Sequence, residues 1–558
     1  MIKNKFLYFV LGAGTLLLAG TACKKQLNIG NPNAATLDAN VSSETGLYSF
    51  TQGATYIDGF VNGDGWLGDS YFSLPYGYSE LLGDVVGADA ANQEISVVSV
   101  PDKVTTEDGT TVINTSPQIP FLRSYNTRGN TGAGNNVYYY QWLNMYALNN
   151  ACNTILDRAA SIKFSGDAAT RLNTIKAWCY WWKGYAYASV GTQYYSGLVI
   201  DAYGGVSNHY LVHDSIIARS NYYFNLASGI LSGITNTSDY STALAAMIPT
   251  AFQTASGGVP TPAQWIRNIN TMLARNLLLN KLNPFVNGVV NSTIQKSATT
   301  AMTAADWTSV LNYATNGIQQ GDVVFAGAAS STNAVFTPSG GTASANTLGN
   351  NIGSLFKITE RFIQNFNIGD ARLSNNFTTA NTYNNPNFTT RYSMVDGGNG
   401  ASGVYVYGTK TPLAYILYMA GSYEENALML AEANIMLGST DKGLGYVDAV
   451  RKFQGAGVAA VAATGLTQAQ ALTQLTRERR VSLVFRGLSW YDSRRWGWSY
   501  DVSNGGGSYG NTFVTVSGKI YTNTTINYNF LDYWDVPADE SVLNPAGSAS
   551  AATVNPNF

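Results

Sequence analysis

The sequence predicts a mainly α protein in which helix pairs form a curved scaffold joined by long irregular loops. Three observations predict it. Apolar residues recur at steps of three and four in successive windows, each marking one face of a helix. The windows come in pairs, and their faces can be buried only against neighbouring pairs. Between the pairs lie aperiodic stretches rich in Gly, Asn, Thr and Ser, notably 326–353 and 375–411, and such chain is usually functional or disordered.

The 558 residues exceed what one core usually needs. Charged residues make up only 12% and the net charge is −2, so no basic excess points to nucleic acid. With 36 Tyr and 11 Trp on that weakly charged background, the surface suits neutral polar ligands. For any single ring, core packing is the commoner use.

Residues 1–22 read as a lipoprotein signal peptide. Lys3 and Lys5 form the basic region and Phe6 to Ala19 the apolar one, too short for a permanent span. Gly20, Thr21 and Ala22 lead into Cys23 in a spacing that resembles a lipobox, with Gly20 where Leu is usual. Cys23 is therefore the expected lipidation site, 23–36 a lipidated polar tether and 37–558 the folded domain. Two acyl chains on Cys23 would anchor it stably, whereas one would be marginal. Cys152 and Cys179 fall on apolar helical stripes and read as buried free thiols, a disulfide being the alternative in an exported chain.

A weak helical pattern runs from Leu37 to Tyr56. Asp58 to Tyr78 follows, with glycines that forbid a long helix and more rings than a plain loop carries. Its Asp58, Asp64 and Asp69 lack EF-hand spacing and a closing Glu, so no metal is expected. Lys103 to Asn136 has no period and contains Tyr125, Asn126 and Arg128. Helices then become clear. Tyr138, Trp142, Met145, Leu148, Cys152 and Ile155 share one face, and Leu172, Ile175, Cys179, Trp182, Tyr185 and Ser189 another, with Phe164 to Asp167 as the turn. Tyr180-x3-Gly184-x2-Tyr187 resembles the tetratricopeptide pattern W-x2-L-G-x2-Y, with Lys183 at the Leu position. Further helices are expected at Tyr222 to Thr235, Pro262 to Lys281 and Asp306 to Gln320. Ser422 to Leu437 and Leu444 to Phe453 make the last pair, with Gly438 as the stop.

The most specific stretch is Glu478 to Trp496, ERRVSLVFRGLSWYDSRRW. Thr467 and Gln470 form a capping box ahead of it. Leu472, Leu475, Leu483 and Phe485 supply an apolar side, and Gly487 is the expected helix end. Trp490, Tyr491 and Trp496 among Asp492, Arg494 and Arg495 predict a buried polar cluster, because Arg forks pair with carboxylates and stack on rings.

This stretch resembles the C-terminal signature of the SusD/RagB family, E-R-x-x-E-L-x-F-E-G-x-R-W-Y-D-L-x-R-W. Ser482 and Arg486 stand where that pattern has Glu, and Ser489 where it has Arg, which predicts a rebuilt local ion network. Leu81 to Asp89 and LAEANIML (430–437) are also similar to family segments. So is Asp532 to Pro545, where Pro537, Glu540, Asn544 and Pro545 match the family's closing motif. The resemblance implies a cell-surface lipoprotein held in the outer membrane by its lipid anchor. It would capture an oligosaccharide and deliver it to a SusC-type TonB-dependent transporter, with no enzyme activity and no cofactor. It also implies that the signature segment is scaffold, and that the glycan platform comes from loops in the amino-terminal half with help from a later insertion. The candidate ligand residues are then the rings on aperiodic segments, Trp66, Tyr71, Tyr76 and Tyr125, with Asn126, Arg128 and Phe325. The alternatives are peptide capture of the RagB type, a purely structural partner subunit, and a glycoside hydrolase on a helical scaffold.

Other chemistry finds little support. His209-x3-His213 lacks the Glu of a zincin, and Gly204 and Gly205 before it argue for a loop. Gly398-x-Gly400-x2-Gly403 opens no helix and reads as a loop, not a dinucleotide fingerprint. No GxSxG elbow occurs, and none of the 34 acids stands in a recognisable glycosidase pair.

Overall fold

The computed structural model describes residues 41–56, 77–88, 98, 100–129, 136–282, 285–286, 289–290, 302–328, 356–386, 388–409, 411, 414 and 416–558. Among these, seventeen α-helices dominate and the strands are short. In chain order they are α1 (Glu44–Tyr56), α2 (Gly77–Leu82), α3 (Gln118–Tyr125), α4 (Tyr139–Ala159), α5 (Ala168–Gln193) and α6 (His213–Ser232). Next come α7 (Thr237–Met247), α8 (Thr250–Ser256), α9 (Pro262–Asn280), α10 (Ala304–Thr315), α11 (Glu360–Ile363) and α12 (Ala371–Asn376). Last are α13 (Tyr423–Met436), α14 (Thr440–Phe453), α15 (Gln468–Ser482), α16 (Ser489–Arg495) and α17 (Ala538–Leu543).

Local chemistry sets the starts of the long helices. Asp167 caps α5 by accepting from Ala169 N and Thr170 N. Capping boxes open α9 (Thr261 with Gln264), α10 (Thr303 with Asp306) and α15 (Thr467 with Gln470), each satisfying otherwise orphaned N–H groups. The helices then stack in series: α4 on α5, α5 on α6, α6 on α9, α9 on α10, α10 on α13, and α13 and α14 on α15. Gly184 makes the α5–α6 approach possible, since a Cβ there would sit 2.6 Å from the Phe224 ring. That explains the glycine of the repeat-like pattern by close packing.

Two cores result. The larger centres on Trp178, Trp181 and Trp182 of α5 with Trp265 of α9. A second joins α13, α14 and α15 through Leu428, Leu444, Val447, Val450, Leu472 and Leu475. Cys152 and Cys179 face each other's helices as buried free thiols. Burial, then the neighbouring Cys152, pushes the Cys179 thiol well above its usual pKa.

Three segments differ from expectation. Helix α6 begins at His213, earlier than Tyr222, because Ile216, Ile217 and Ser220 continue its buried face. The aperiodic 103–136 stretch contains strands β1 (Lys103–Thr105) and β2 (Thr111–Ile113) besides α3. With β3 (Ser508–Val514) and β4 (Ile520–Asn527) they form an antiparallel sheet in the order β3-β4-β1-β2. Its partners lie some four hundred residues away, so no local period announces it. Helix α15 ends at Ser482 and not at Gly487, and Phe485 turns the chain at φ +58° before α16.

Candidate ligand-binding site

The segment from Pro117 to Gly129 is clipped to the last stretch of the chain. Arg123 of α3 grips Asp535 with both fork nitrogens (Nε–Oδ2 2.7 Å, Nη2–Oδ1 3.0 Å) and also donates to Asn555 O and Phe558 O. Burial opposes the charge of Arg123, but the Asp535 carboxylate outweighs it and raises the guanidinium's pKa. Asn126 donates to Val536 O (3.1 Å) and accepts from Ala538 N (2.8 Å) and Asn136 Nδ2 (3.1 Å). Gly129 N donates to Asp539 Oδ1 at 3.0 Å.

These bonds leave Phe121 and Tyr125 half-buried at the surface, their ring centroids 5.1 Å apart, with Arg128 exposed two residues beyond Asn126. Burial and then the charge of Asp539 push the Tyr139 phenol up, keeping a neutral hydroxyl near that carboxylate. The structure thus brings Tyr125 and Arg128 together on one fixed loop. The carboxamide of Asn126 is committed on both sides to holding that loop.

The other candidates fare differently. Cys23, Trp66, Tyr71 and Tyr76 lie outside the described residues. Phe325 is a core ring, 1% exposed, with centroids 5.0 Å from Trp265, 5.6 Å from Trp178, 5.7 Å from Trp181 and 6.0 Å from Trp182. It directly precedes the strand Ala326–Ala328, whose pairing with Ile416–Tyr418 draws the ring into the core and away from any ligand. His209 is exposed, while His213 is buried and stacked on Tyr533 at 3.9 Å, so the two do not form a pair. Among the described residues no three His, Cys, Asp or Glu side chains group as a metal site.

The signature segment is a buried ion network. Arg479 takes Asp492 in a bidentate pair (3.0 Å and 3.0 Å), and Arg495 joins Asp492 (2.8 Å) to Glu432 of α13. Arg494 donates to the carbonyls of Thr192, Leu279 and Asp532, tying three segments together. The three departures from the family pattern have partners. Ser482 bonds Glu478, which Arg372 and Arg451 neutralise; Arg486 pairs with Glu424 at 2.8 Å; Ser489 donates to Glu80 at 2.8 Å. Removing one member of such a buried pair leaves an uncompensated charge, which fits a scaffold role.

Sequence reasoning missed a cleft of about 870 Å³ between α15, α11 and residues 496–511. Arg361, Arg477, Arg480, Trp496, Trp498 and Tyr509 are among its walls. The clustered arginines of α15 were the available signal, but their side-chain directions depend on the ends of elements far apart in sequence. A second cavity of about 590 Å³ lies between α5, α9 and the 486–491 turn. Its guanidiniums, Arg275 and Arg486, are already paired with Glu425 and Glu424.

Stacked helix pairs with a carboxy-terminal ion network define a tetratricopeptide-like scaffold protein. Residues 423–546 match the model of the SusD family. Among solved structures, a SusD superfamily protein from Bacteroides vulgatus is 14% identical, covers 91% of this chain and 99% of that one, and superposes with a TM-score of 0.55. B. fragilis NanU is 13% identical over 94% of this chain and 100% of its own, with a TM-score of 0.51. A B. vulgatus protein named for sugar binding is 15% identical over 90% of this chain and 95% of its own, also with a TM-score of 0.51. No curated protein sequence matches. The chain thus carries a SusD-family match over its carboxy-terminal segment 423–546 and shares the fold of these solved structures.

Proposed function

We propose that this protein is a lipoprotein of the outer-membrane surface that captures an oligosaccharide and passes it to a SusC-type TonB-dependent transporter. The observation that carries the reading is the SusD family match over 423–546, the segment whose ion network ties the helix pairs to the rest of the chain. The sugar-binding name of one structural relative supports the ligand class. Residues 1–22 serve as signal peptide, Cys23 bears the lipid, and 23–36 is the tether. Tyr125 offers a half-exposed ring for a sugar face and Arg128 a fork for hydroxyls, while Asn126 holds both in place. Trp66, Tyr71 and Tyr76 are further ring candidates. Binding and release alone are assigned, with no bond made or broken.

Calorimetric titration of the purified protein with neutral and acidic oligosaccharides, beside a peptide mixture, tests the reading. Saturable heat with a saccharide is expected. Binding of peptides alone, or of neither class, would overturn it.

A further inference from the structure

The large cleft holds more guanidiniums than ion-paired carboxylates. Arg361, Arg477 and Arg480 stand in its wall. Only Arg361 has a carboxylate, taking Asp84 with both fork nitrogens (Nε–Oδ2 2.8 Å, Nη2–Oδ1 2.9 Å). Arg480 donates to the backbone carbonyls of Gly83 (2.9 Å) and Asp84 (3.2 Å) and lies 5.0 Å from the Trp498 ring centre. Arg477 donates to the carbonyls of Gln364, Asn365 and Phe366 at 3.1–3.2 Å, leaving Nη1 without a protein partner among the described residues. Neither Arg477 nor Arg480 has a carboxylate within ion-pair distance among the described residues.

Backbone carbonyls satisfy the hydrogen bonds of a guanidinium but do not neutralise it. Burial lowers the pKa of both side chains, with Arg451 adding to it at Arg477, against the opposing pull of Glu478 on Arg477 and of Asp84 and Glu80 on Arg480. Arginine nevertheless stays protonated in proteins. Elsewhere around α15 the buried arginines are answered by acids: Arg479 and Arg495 by Asp492, Arg372 and Arg451 by Glu478. Arg494 is likewise held by carbonyls alone but is fully buried, whereas Arg477 and Arg480 stand in the wall of a cleft. Tyr509, half-buried in the same wall, has no ring or cation against its face among the described residues.

We propose that this cleft is a subsite for an acidic sugar, the carboxylate of a uronate residue lying between Arg477 and Arg480 with its ring against Tyr509. Arginine forks match carboxylate geometry, and an aromatic face suits a pyranose. The proposal rests on the saccharide-binding reading above and adds the charge of the ligand to it.

The test is calorimetric titration of the full-length protein with uronate-containing oligosaccharides, their neutral counterparts of the same linkage, inorganic phosphate, and peptides with free carboxylates. A uronate oligosaccharide is expected to bind at least tenfold more tightly than its neutral counterpart, and added salt should narrow the gap. Arg477→Gln should reduce that preference tenfold, with partial rescue by Arg477→Lys. Tyr509→Ala, which removes no side-chain hydrogen bond among the described residues, decides the matter should Arg477→Gln fail to fold. It should weaken the acidic oligosaccharide severalfold at unchanged Tm. Equal affinity for acidic and neutral sugars, or an acidic preference that survives both substitutions, overturns the subsite while leaving saccharide capture standing. Competition by peptides or phosphate as strong as by the uronate also overturns it. Absence of binding by any saccharide sinks both readings together.

Discussion

Glu80 gives a pH dependence that can be worked out from its surroundings. It sits in α2, 1% exposed, against the turn that precedes α16. Burial pushes its carboxyl from the ordinary 4.5 up to about 7; the Ser489 hydroxyl and the N–H groups of Phe485 and Gly487 pull back only part of the way. Where the family pattern has Arg, this chain has Ser489, so a hydroxyl stands in for a guanidinium beside the acid. The folded state thus holds its proton to higher pH than the unfolded state does. The sign follows: stability from this group is complete below about pH 4.5 and is lost as pH rises through about 7. The gap corresponds to about 3 kcal/mol. Glu80→Gln keeps the shape and removes the ionisation. Urea unfolding followed by tryptophan fluorescence, at pH 4.5 and pH 8.5, should show variant and wild type close together at the lower pH. At the higher pH the variant should be the more stable by about 3 kcal/mol. An offset of the same size at both pH values would refute the reasoning.

Four further outcomes are expected. Phe325→Ala should lower stability by about 3–5 kcal/mol through the cavity it leaves among four tryptophans, with saccharide affinity unchanged in the folded fraction. Tyr125→Ala should do the reverse, costing about 1 kcal/mol of binding, roughly fivefold in Kd, with Tm constant in a melting and titration pair. Arg486→Met should cost about 3–5 kcal/mol in urea unfolding because it strands Glu424, and adding Glu424→Met should recover most of it. Cys23→Ala should abolish acyl labelling and move the protein out of the membrane fraction, which fractionation and metabolic labelling check together.

Much of the scaffold was legible because its signals are local. The capping box at Thr467 and Gln470, the stop at Gly438 and the three-four stripes of α4 and α5 need only neighbouring residues. What escaped depends on distant partners. Strands β1 and β2 exist because β4 pairs with them, and α6 starts early because strand Tyr210–Val212 hands it its first turn. For the site, aperiodic sequence pointed to Tyr125, which the structure places half-buried on a loop anchored by Asn126 and Arg123 and whose ligand role is a proposal. It misled at Phe325, where a ring on a loop edge was close enough to the tryptophans of α5 to be absorbed. The arginine cleft was invisible because excess charge is a property of which acids are missing nearby. No spacing in the chain records that.

The two thiols of the first helix pair make the protein its own reporter of breathing. Cys152 and Cys179 are 1% and 0% exposed at the contact of α4 with α5. A thiol reagent can reach them only in moments when those helices part. With no third cysteine among the described residues to confuse the signal, the rate of modification in native buffer reads the opening free energy of that one pair. Tracked with and without ligand, it would show whether occupancy of a distant surface is felt as quieter motion at this end of the array.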